Sequence, residues 1–310
     1  MPPSADPRAR TAPRVAIVID RADWHTRELT RALRALAVAA VPMRLEASAF
    51  DTGSPSGLHL DGFGAALPDA VFVRTVAGGS FESVTLRLGI LHALRELGVI
   101  VWNGARAIER CVDKSATSFA LARSGIPTPQ TWAVQSLAAA RAIVAQEAGP
   151  LVLKPLFGSQ GRGLRLIRTP EELPAPTDVC GVYYLQRFVG VERDGFHDFR
   201  LLVSRGRVIA AMMRHSTEWI TNIKRGGRPV TVAANDDMKA LAVRAAAAIG
   251  ADFAGVDLLY DTADRPCVLE VNSMPAWSGL QKVTSANIAG ILAADLVAEL
   301  DARSRREATA

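Results

Sequence analysis

Asp257, Glu270 and Asn272 lie in two short apolar runs, AGVDLLY and CVLEVN, separated by the turn-forming stretch Asp261–Pro266. Two such runs around a polar turn read as a β-hairpin. A symmetric turn pairs Tyr260 with Cys267, and the same register sets Asp257 opposite Glu270, with Cβ atoms roughly 5 Å apart. Asn272, two residues beyond Glu270, falls on the same face. Two carboxylates and an amide oxygen on otherwise apolar strands repel and lose solvation unless something positive joins them. A hard divalent cation is the natural partner. Mg²⁺ suits so small a donor set, because it keeps water and phosphate oxygens among its ligands. The plainer alternative pairs each acid with an arginine on an ordinary polar face; three donors in register favour the metal.

A second constellation is LVLKPLFGSQGRGLRLI. Lys154 ends an apolar strand, and Gly158-Ser159-Gln160-Gly161-Arg162-Gly163 leads into the next. Glycines let backbone N–H groups approach phosphate oxygens, and Lys154 supplies a point charge to them. A glycine-rich hairpin loop is common by itself. The chain has no GxxxxGK[ST], and the strand VAIVID is not followed by GxGxxG, so neither a P-loop nor a dinucleotide fingerprint is present. His25, His92, His197 and His215 have no derivable partner, and no Ser-His-Asp or Cys-His arrangement emerges. Trp219 and Trp277 read as packing residues, and Arg228 as a surface ion pair.

The elements that must position these residues follow from periodicity. VAIVID, VPMRLEA, DAVFVRT and VIVWN alternate with helices over His25–Ala39 and Ser83–Leu97, a β-α-β rhythm that predicts a parallel-sheet α/β domain ending near Gly104. A helix follows over Ala107–Ser124, stopped by Gly125 and Pro127. Antiparallel strands around the glycine loop come next, behind a helix over Leu137–Glu147. VYYLQRFV, DFRLLVS and RVIAAMMRH then lead to an alanine-rich helix, Asp237–Ile249, the hairpin, and a final helix from about Ser285.

Length and composition limit the function classes. The 310 residues, 49% hydrophobic and 22% charged, fit a globular chain of two or three packed subdomains. The formal charge of +5 is carried by scattered arginines rather than a basic block, which suits anionic small molecules such as nucleotides or polycarboxylates and argues against nucleic acid. Cys111, Cys180 and Cys267 show neither metal-ligand nor disulfide spacing, so reduced thiols and a cytoplasmic location are expected. No signal peptide or membrane span is expected.

The ordered set DK (Asp113-Lys114), LVLK–GSQGRG, LQRFV, HDFR, TNIKRGG, AGVDLL and LEVNSMPAW closely resembles the ATP-grasp ligases, specifically the RimK-like glutamate ligase branch, over about two thirds of the chain. RimK-type sequences read Arg-Ser-Asn where this chain has Ile220-Thr221-Asn222, and follow EVN with a Ser-Pro-Gly-like turn where this has Ser273-Met274-Pro275-Ala276-Trp277. WITN and MPAWSGLQK instead resemble the tetrahydromethanopterin:α-L-glutamate ligases.

The resemblance implies an ATP-grasp fold, mixed α/β and α+β. Its parts are a disordered start (1–13), an N-terminal parallel α/β domain (14–106), a central antiparallel-sheet lid (107–187), a C-terminal antiparallel-sheet domain with helices (188–303) and a disordered tail (304–310). Lys114 and Lys154 are implied to hold the α- and β-phosphates, and Gly158, Ser159, Gln160, Gly161 and Gly163 to form the closing loop. Gln186, Arg187, Phe188 and Val189 are implied as the adenine-reading hinge, and Asp198 as a ribose contact. Arg200 and Arg214 are implied at the γ-phosphate and acyl-phosphate, Asn222 and Arg225 in the cleft lining, and Asp257, Glu270 and Asn272 as ligands of two Mg²⁺ ions, Mn²⁺ being the substitute. The implied reaction joins an amino acid, L-glutamate foremost, to a small carboxylate such as a tetrahydromethanopterin-type pterin through an acyl-phosphate. Modification of a protein C-terminus and a non-catalytic ATP-binding module are the alternatives. A homo-oligomer is compatible with this reading. The acceptor elements Trp24-His25, Arg74 and Gly78-Gly79 carry no motif that fixes their substrate.

Overall fold

The computed structural model describes residues 12–158, 160–192 and 194–309. They form two compact units, residues 12–102 with 289–309, and residues 103–288.

The first unit contains β1 (Arg14–Val18), α1 (Trp24–Ala35), β2 (Ala39–Met43), β3 (Ala49–Phe50), β4 (Leu58–His59), β5 (Ala70–Val73), α2 (Phe81–Glu96) and β6 (Ile100–Trp102). Its main sheet is parallel in the order β2-β1-β5-β6. Val15–Val18 and Ala70–Val73 are fully buried, which is why these strands are continuous apolar runs rather than alternating ones. Asp23 opens α1 with a capping box: its carboxylate accepts from Thr26 N and Thr26 Oγ1, both at 2.8 Å. VPMRLEA is strand only as far as Met43. Pro42 fits this edge strand, and Arg44 N then donates to the Asp61 carboxylate at 3.1 Å, diverting the chain into a 3-10 turn over Leu45–Ala47.

The C-terminal helix, Ile288–Thr309, belongs to this unit rather than to the C-terminal sheet domain expected for it. Trp102 Nε1 donates to Glu299 at 2.8 Å, and Arg303 bonds the Gly98 carbonyl oxygen. The helix also continues through 304–309, where a disordered tail was expected. The Arg303–Glu307 pair, spaced i,i+4 with Nε–Oε1 at 2.6 Å, supports those last turns. Of the disordered start expected over 1–13, residues 1–11 lie outside the described residues.

The second unit comprises α3 (Ala105–Val112), α4 (Lys114–Arg123), β7 (Thr131–Val134), α5 (Leu137–Gln146), β8 (Leu151–Lys154), β9 (Arg165–Ile167), β10 (Tyr183–Arg187), β11 (Phe196–Ser204), β12 (Arg207–Ser216), β13 (Arg228–Thr231), α6 (Asp236–Ile249), β14 (Phe253–Tyr260) and β15 (Pro266–Asn272). The helix expected over 107–124 is two helices. Asp113 leaves helical geometry (φ −84°, ψ 103°), and its side chain accepts from Ser115 N and Ala116 N, so it caps α4 and makes Lys114 that helix's first residue.

An antiparallel sheet, β7-β10-β8-β9, packs against α5 through Ala140, Val144, Leu151, Leu153 and Leu185. A five-stranded antiparallel sheet, β13-β12-β11-β14-β15, packs against α6. Ala107 of α3 and Leu121 of α4 join that second core, so these helices lie with the C-terminal sheet although the expected boundaries give them to the lid. Among the described residues no helix is long and apolar enough to cross a membrane.

Candidate active site

Asp257 and Glu270 are direct cross-strand partners, but not through a symmetric turn. Tyr260 pairs with Pro266 instead of Cys267, which puts the outer hairpin one residue out of the expected register. Leu258 pairs with Val268 and Asp257 with Glu270, so Leu269 is an extra residue, a bulge that restores the register at the acids. Asn272 lies opposite Gly255, where a Cβ would stand 2.9 Å from the Pro275 ring.

Asp257 is 4% exposed and sits within a chain of alternating charge. Strand order β12-β11-β14 lines up Arg214, Asp198, Arg200 and Asp257 on neighbouring strands. Arg200 grips Asp257 with both nitrogens, Nε–Oδ1 and Nη2–Oδ2 each 2.7 Å. Arg214 Nη2 reaches Asp257 Oδ2 at 2.9 Å, and its Nε donates to Asp198 Oδ1 at 2.6 Å while Nη2 also meets Asp198 Oδ2. Burial raises the Asp257 pKa, but the two guanidinium groups outweigh it and hold the carboxyl at about 2. Burial likewise opposes the charge of Arg214, and Asp257 and Asp198 more than offset it. The arginine pairing weighed as the plainer alternative therefore exists at Asp257. Asp198, expected at the ribose, has both oxygens engaged by Arg214 and serves as its anchor.

Glu270 and Asn272 face a charged cavity that they share with Lys114, Lys154, Arg162 and Arg200. Desolvation lowers the pKa of both lysines, and the Glu270 charge pulls each back up. Lys154 Nζ donates to Gln186 Oε1 at 2.7 Å. Lys114 Nζ donates to the carbonyls of Gly158 (2.8 Å) and Leu156 (3.3 Å), so it grips the base of the glycine loop. Gly158, Gly161 and Gly163 all adopt positive φ, as does Gln160. A Cβ on Gly161 would stand 2.6 Å from Asn222 Oδ1, so the loop's backbone lies directly against that carboxamide. Ser159 falls outside the described residues.

Asn222 is held by the TNIKRGG segment. Its carbonyl accepts from Arg225 N (2.8 Å) and Gly227 N (3.2 Å). A Cβ at Gly227 would overlap the Thr221 carbonyl oxygen. Arg225 is exposed and lines neither cavity of this site.

A second cavity adjoins the charged one, sharing Lys154, Leu164, Asn222 and Glu270. One side of it is apolar, with Val152, Phe188, Val189, Trp219, Ile220 and Leu259, while Asp198, Arg214 and Asp257 line the other. Phe188 and Trp219 meet edge to face at 6.0 Å between centroids. Trp277, by contrast, is completely buried. Arg187 turns its guanidinium away to Glu147, with Nε–Oε2 at 2.8 Å and Nη2–Oε1 at 3.0 Å. Sequence reasoning missed Trp219, Leu164 and Leu259 as cavity walls, because single apolar residues on separate elements leave no spaced motif. It also missed the role of the Gln186 side chain. Its one signal was the period-2 alternation of YYLQR, which places Gln186 on the same face as Tyr184.

The donor set fits Mg²⁺. Among the described residues no group of three or more His, Cys, Asp or Glu is placed to hold a metal, so a wholly protein-built cage is not offered. Two carboxylates and one carboxamide beside Lys114 and Lys154 would leave coordination positions for water and phosphate oxygens, as Mg²⁺ requires. Asn272 lines the charged cavity, and its Nδ2 is buried with no hydrogen-bond partner among the described residues; the carboxamide oxygen is the atom that could meet a cation. Trp24, His25, Arg74, Gly78 and Gly79 lie in the other unit.

Residues 111–296 match the RimK-like ATP-grasp domain. The chain is 33% identical over 245 residues to the tetrahydromethanopterin:α-L-glutamate ligase of Methanosarcina acetivorans, covering 68% of this chain and 74% of that one. The Methanococcus maripaludis ligase of the same name is 31% identical, over 89% of this chain and 95% of its own. Among solved structures, the ATP-grasp ligase PsnB in complex with a minimal precursor superposes with a TM-score of 0.72 at 22% identity, covering 93% of this chain and 99% of that one; this likeness concerns the fold. With its two lysines, glycine loop and facing acids in one cleft, the chain belongs to the RimK-like ATP-grasp family and is an ADP-forming carboxylate–amine ligase.

Proposed function

We propose that this ligase adds L-glutamate to a small carboxylate, a reduced pterin of the tetrahydromethanopterin type, in the cytoplasm. The observation that carries the reading is the meeting of Lys114, Lys154, Arg200, Glu270 and Asn272 around one charged cavity that opens onto an apolar one. The two relatives above bear the name of that reaction, which supports the choice of glutamate and pterin.

The apolar cavity, walled by Phe188, Val189, Trp219 and Leu259, takes the adenine, and the charged cavity takes the triphosphate. Lys114 and Lys154 hold phosphate oxygens. The backbone at Gly158 and Gly161 lies beside them and helps exclude water, which protects an acyl-phosphate from hydrolysis. Asp257, Glu270 and Asn272 would hold two Mg²⁺ ions, whose contribution is charge neutralisation at the phosphates. Asp198 fixes Arg214, and Arg214 with Arg200 fixes Asp257, so this donor stands ionised and oriented before substrate arrives. The acceptor carboxylate attacks the γ-phosphorus, the bond to the β-phosphate oxygen breaks and ADP leaves. The glutamate amine, as free base, then attacks the acyl carbon. The C–O bond to phosphate breaks, and the amine's surplus proton leaves with phosphate or solvent. Little covalent work falls to the protein, in keeping with a site built from positive charge rather than from a nucleophile.

The test is ADP release with ATP and Mg²⁺, pairing a panel of amino acids with reduced pterins and with candidate protein C-termini. The expected result is ADP release that needs both L-glutamate and a reduced pterin carboxylate and matches amide product one for one. Glutamate-dependent mass gain on a protein alone, with none on pterins, would overturn the acceptor.

A further inference from the structure

We infer that the side chain of Gln186 is a positioning residue for Lys154, aiming its ammonium into the charged cavity without cancelling its charge. This rests on the proposed contact between Lys154 and the triphosphate.

Gln186 is 2% exposed, and its Oε1 accepts from Lys154 Nζ at 2.7 Å. An enclosed lysine is ordinarily met by a carboxylate. Here the partner within hydrogen-bond distance is a neutral carboxamide. A carboxylate at that place would hold Lys154 more strongly and would repel a polyphosphate. The carboxamide leaves two of the three ammonium donors for an anion.

Gln186 is itself held. Its Nε2 lies 3.3 Å from Thr131 Oγ1 and 3.5 Å from Tyr184 OH. Because an ammonium only donates, the oxygen must face Lys154 and the nitrogen must face the hydroxyls. Tyr184 OH in turn pairs with Ser118 Oγ at 2.8 Å. Burial raises the Tyr184 pKa, so its hydroxyl keeps the proton and can donate onward while accepting from Gln186. Ser118 lies one turn along α4 from Lys114. A polar chain thus runs from Lys154 through Gln186 and Tyr184 to the helix that begins with Lys114. It ties the two phosphate lysines to one scaffold across β8, β10 and α4.

Binding of AMPPNP and of adenosine to the full-length protein, measured by calorimetry with Mg²⁺, tests this in Q186L, K154M and the double variant. Q186L should weaken AMPPNP about tenfold, weaken adenosine, which has no phosphate for Lys154 to meet, much less, and add nothing further in the K154M background. Equal losses for adenosine and AMPPNP, or full additivity with K154M, would overturn the role of Gln186. Should K154M bind AMPPNP like the wild type, the phosphate role of Lys154 fails instead, so the two failures are distinguishable. Q186E keeps size, reach and polarity and gives an arm less exposed to misfolding. It should weaken AMPPNP more than Q186L does, because its carboxylate neutralises Lys154; wild-type affinity in Q186E would contradict the inference.

Discussion

Asp257 and Glu270 face each other across β14 and β15 because one residue, Leu269, bulges from the second strand. Upstream and downstream of that point the two strands run in registers that differ by one. The bulge therefore decides which face Glu270 occupies, since a one-residue slip turns a side chain to the opposite side of the sheet. Deleting Leu269 removes the extra residue and continues the outer register straight from Leu258–Val268 to Asp257–Glu270, so ADP release should survive; inserting one residue between Val268 and Leu269 should set Asp257 opposite a residue of the wrong face and abolish it.

The two arginines on Asp257 should differ in what their loss does. Arg214 is 3% exposed and joins two carboxylates, so R214A leaves Asp198 buried without its counter-charge and should cost about 3–5 kcal/mol in urea unfolding. In R200A, Asp257 keeps Arg214, so the loss should be smaller, about 2 kcal/mol, while ADP release still collapses. Equal destabilisation by the two substitutions would contradict the chain of charge described here.

Acid should weaken the first unit through Asp23 and His25. Burial pushes Asp23 up, but bonds from Thr26 and His25 outweigh it and bring the carboxyl to about 2, below its ordinary 3.8. Its stabilising contribution is therefore complete above about pH 4 and is lost as pH falls towards 2. His25 is lowered from 6.5, chiefly by burial and then by Arg74, so the fold prefers it neutral and loses stability as pH falls below 6.5. D23N keeps a capping side chain without the charge. Because Asp23 also pulls the His25 pKa up, the stability gap between wild type and D23N should widen as pH falls below 6.5 and close between 4 and 2; a gap that does not depend on pH would show that the charge is irrelevant.

Gly227 and Gly206 make a matched pair. The first admits no Cβ because the Thr221 carbonyl occupies the space, whereas the second sits in an open turn with φ +70°. G227A should displace Asn222 and lower kcat/KM on the order of a hundredfold. G206A should cost about 1 kcal/mol of stability and leave kinetics unchanged.

At the apolar end of the cleft, W219A removes one wall of the proposed adenine pocket. KM for ATP should rise about tenfold with kcat little changed, because the base takes no part in the chemical steps. A fall in kcat at unchanged KM would place Trp219 elsewhere in the cycle.

Much of this site was legible before any coordinates. Lys154 at a strand end, the glycine loop and the acids of one hairpin are local features, and local spacing governs them. The facing of Asp257 and Glu270 was correct although the turn was not, because the bulge at Leu269 compensated the shifted outer register. The grip of Arg200 and Arg214 on Asp257 depends on strand order β12-β11-β14, which no local pattern encodes. The break between α3 and α4 needed Asp113 to be read as a cap rather than as one more polar helix residue. The pairs β3–β4 and β12–β13 went unread: the first strands are two residues long, and Pro229 obscures β13.

The central claim is that Glu270 and Asn272, beside Asp257, hold Mg²⁺ for the triphosphate chemistry. Neither Glu270 nor Asn272 takes part in the arginine chain, so E270Q and N272A test the metal with little risk to the fold. Glutamate-dependent ADP release should fall in E270Q on the order of a thousandfold, with unfolding temperature and circular dichroism unchanged and Mn²⁺ affinity measured by paramagnetic resonance sharply reduced. Wild-type turnover and Mn²⁺ affinity in both variants would contradict the account.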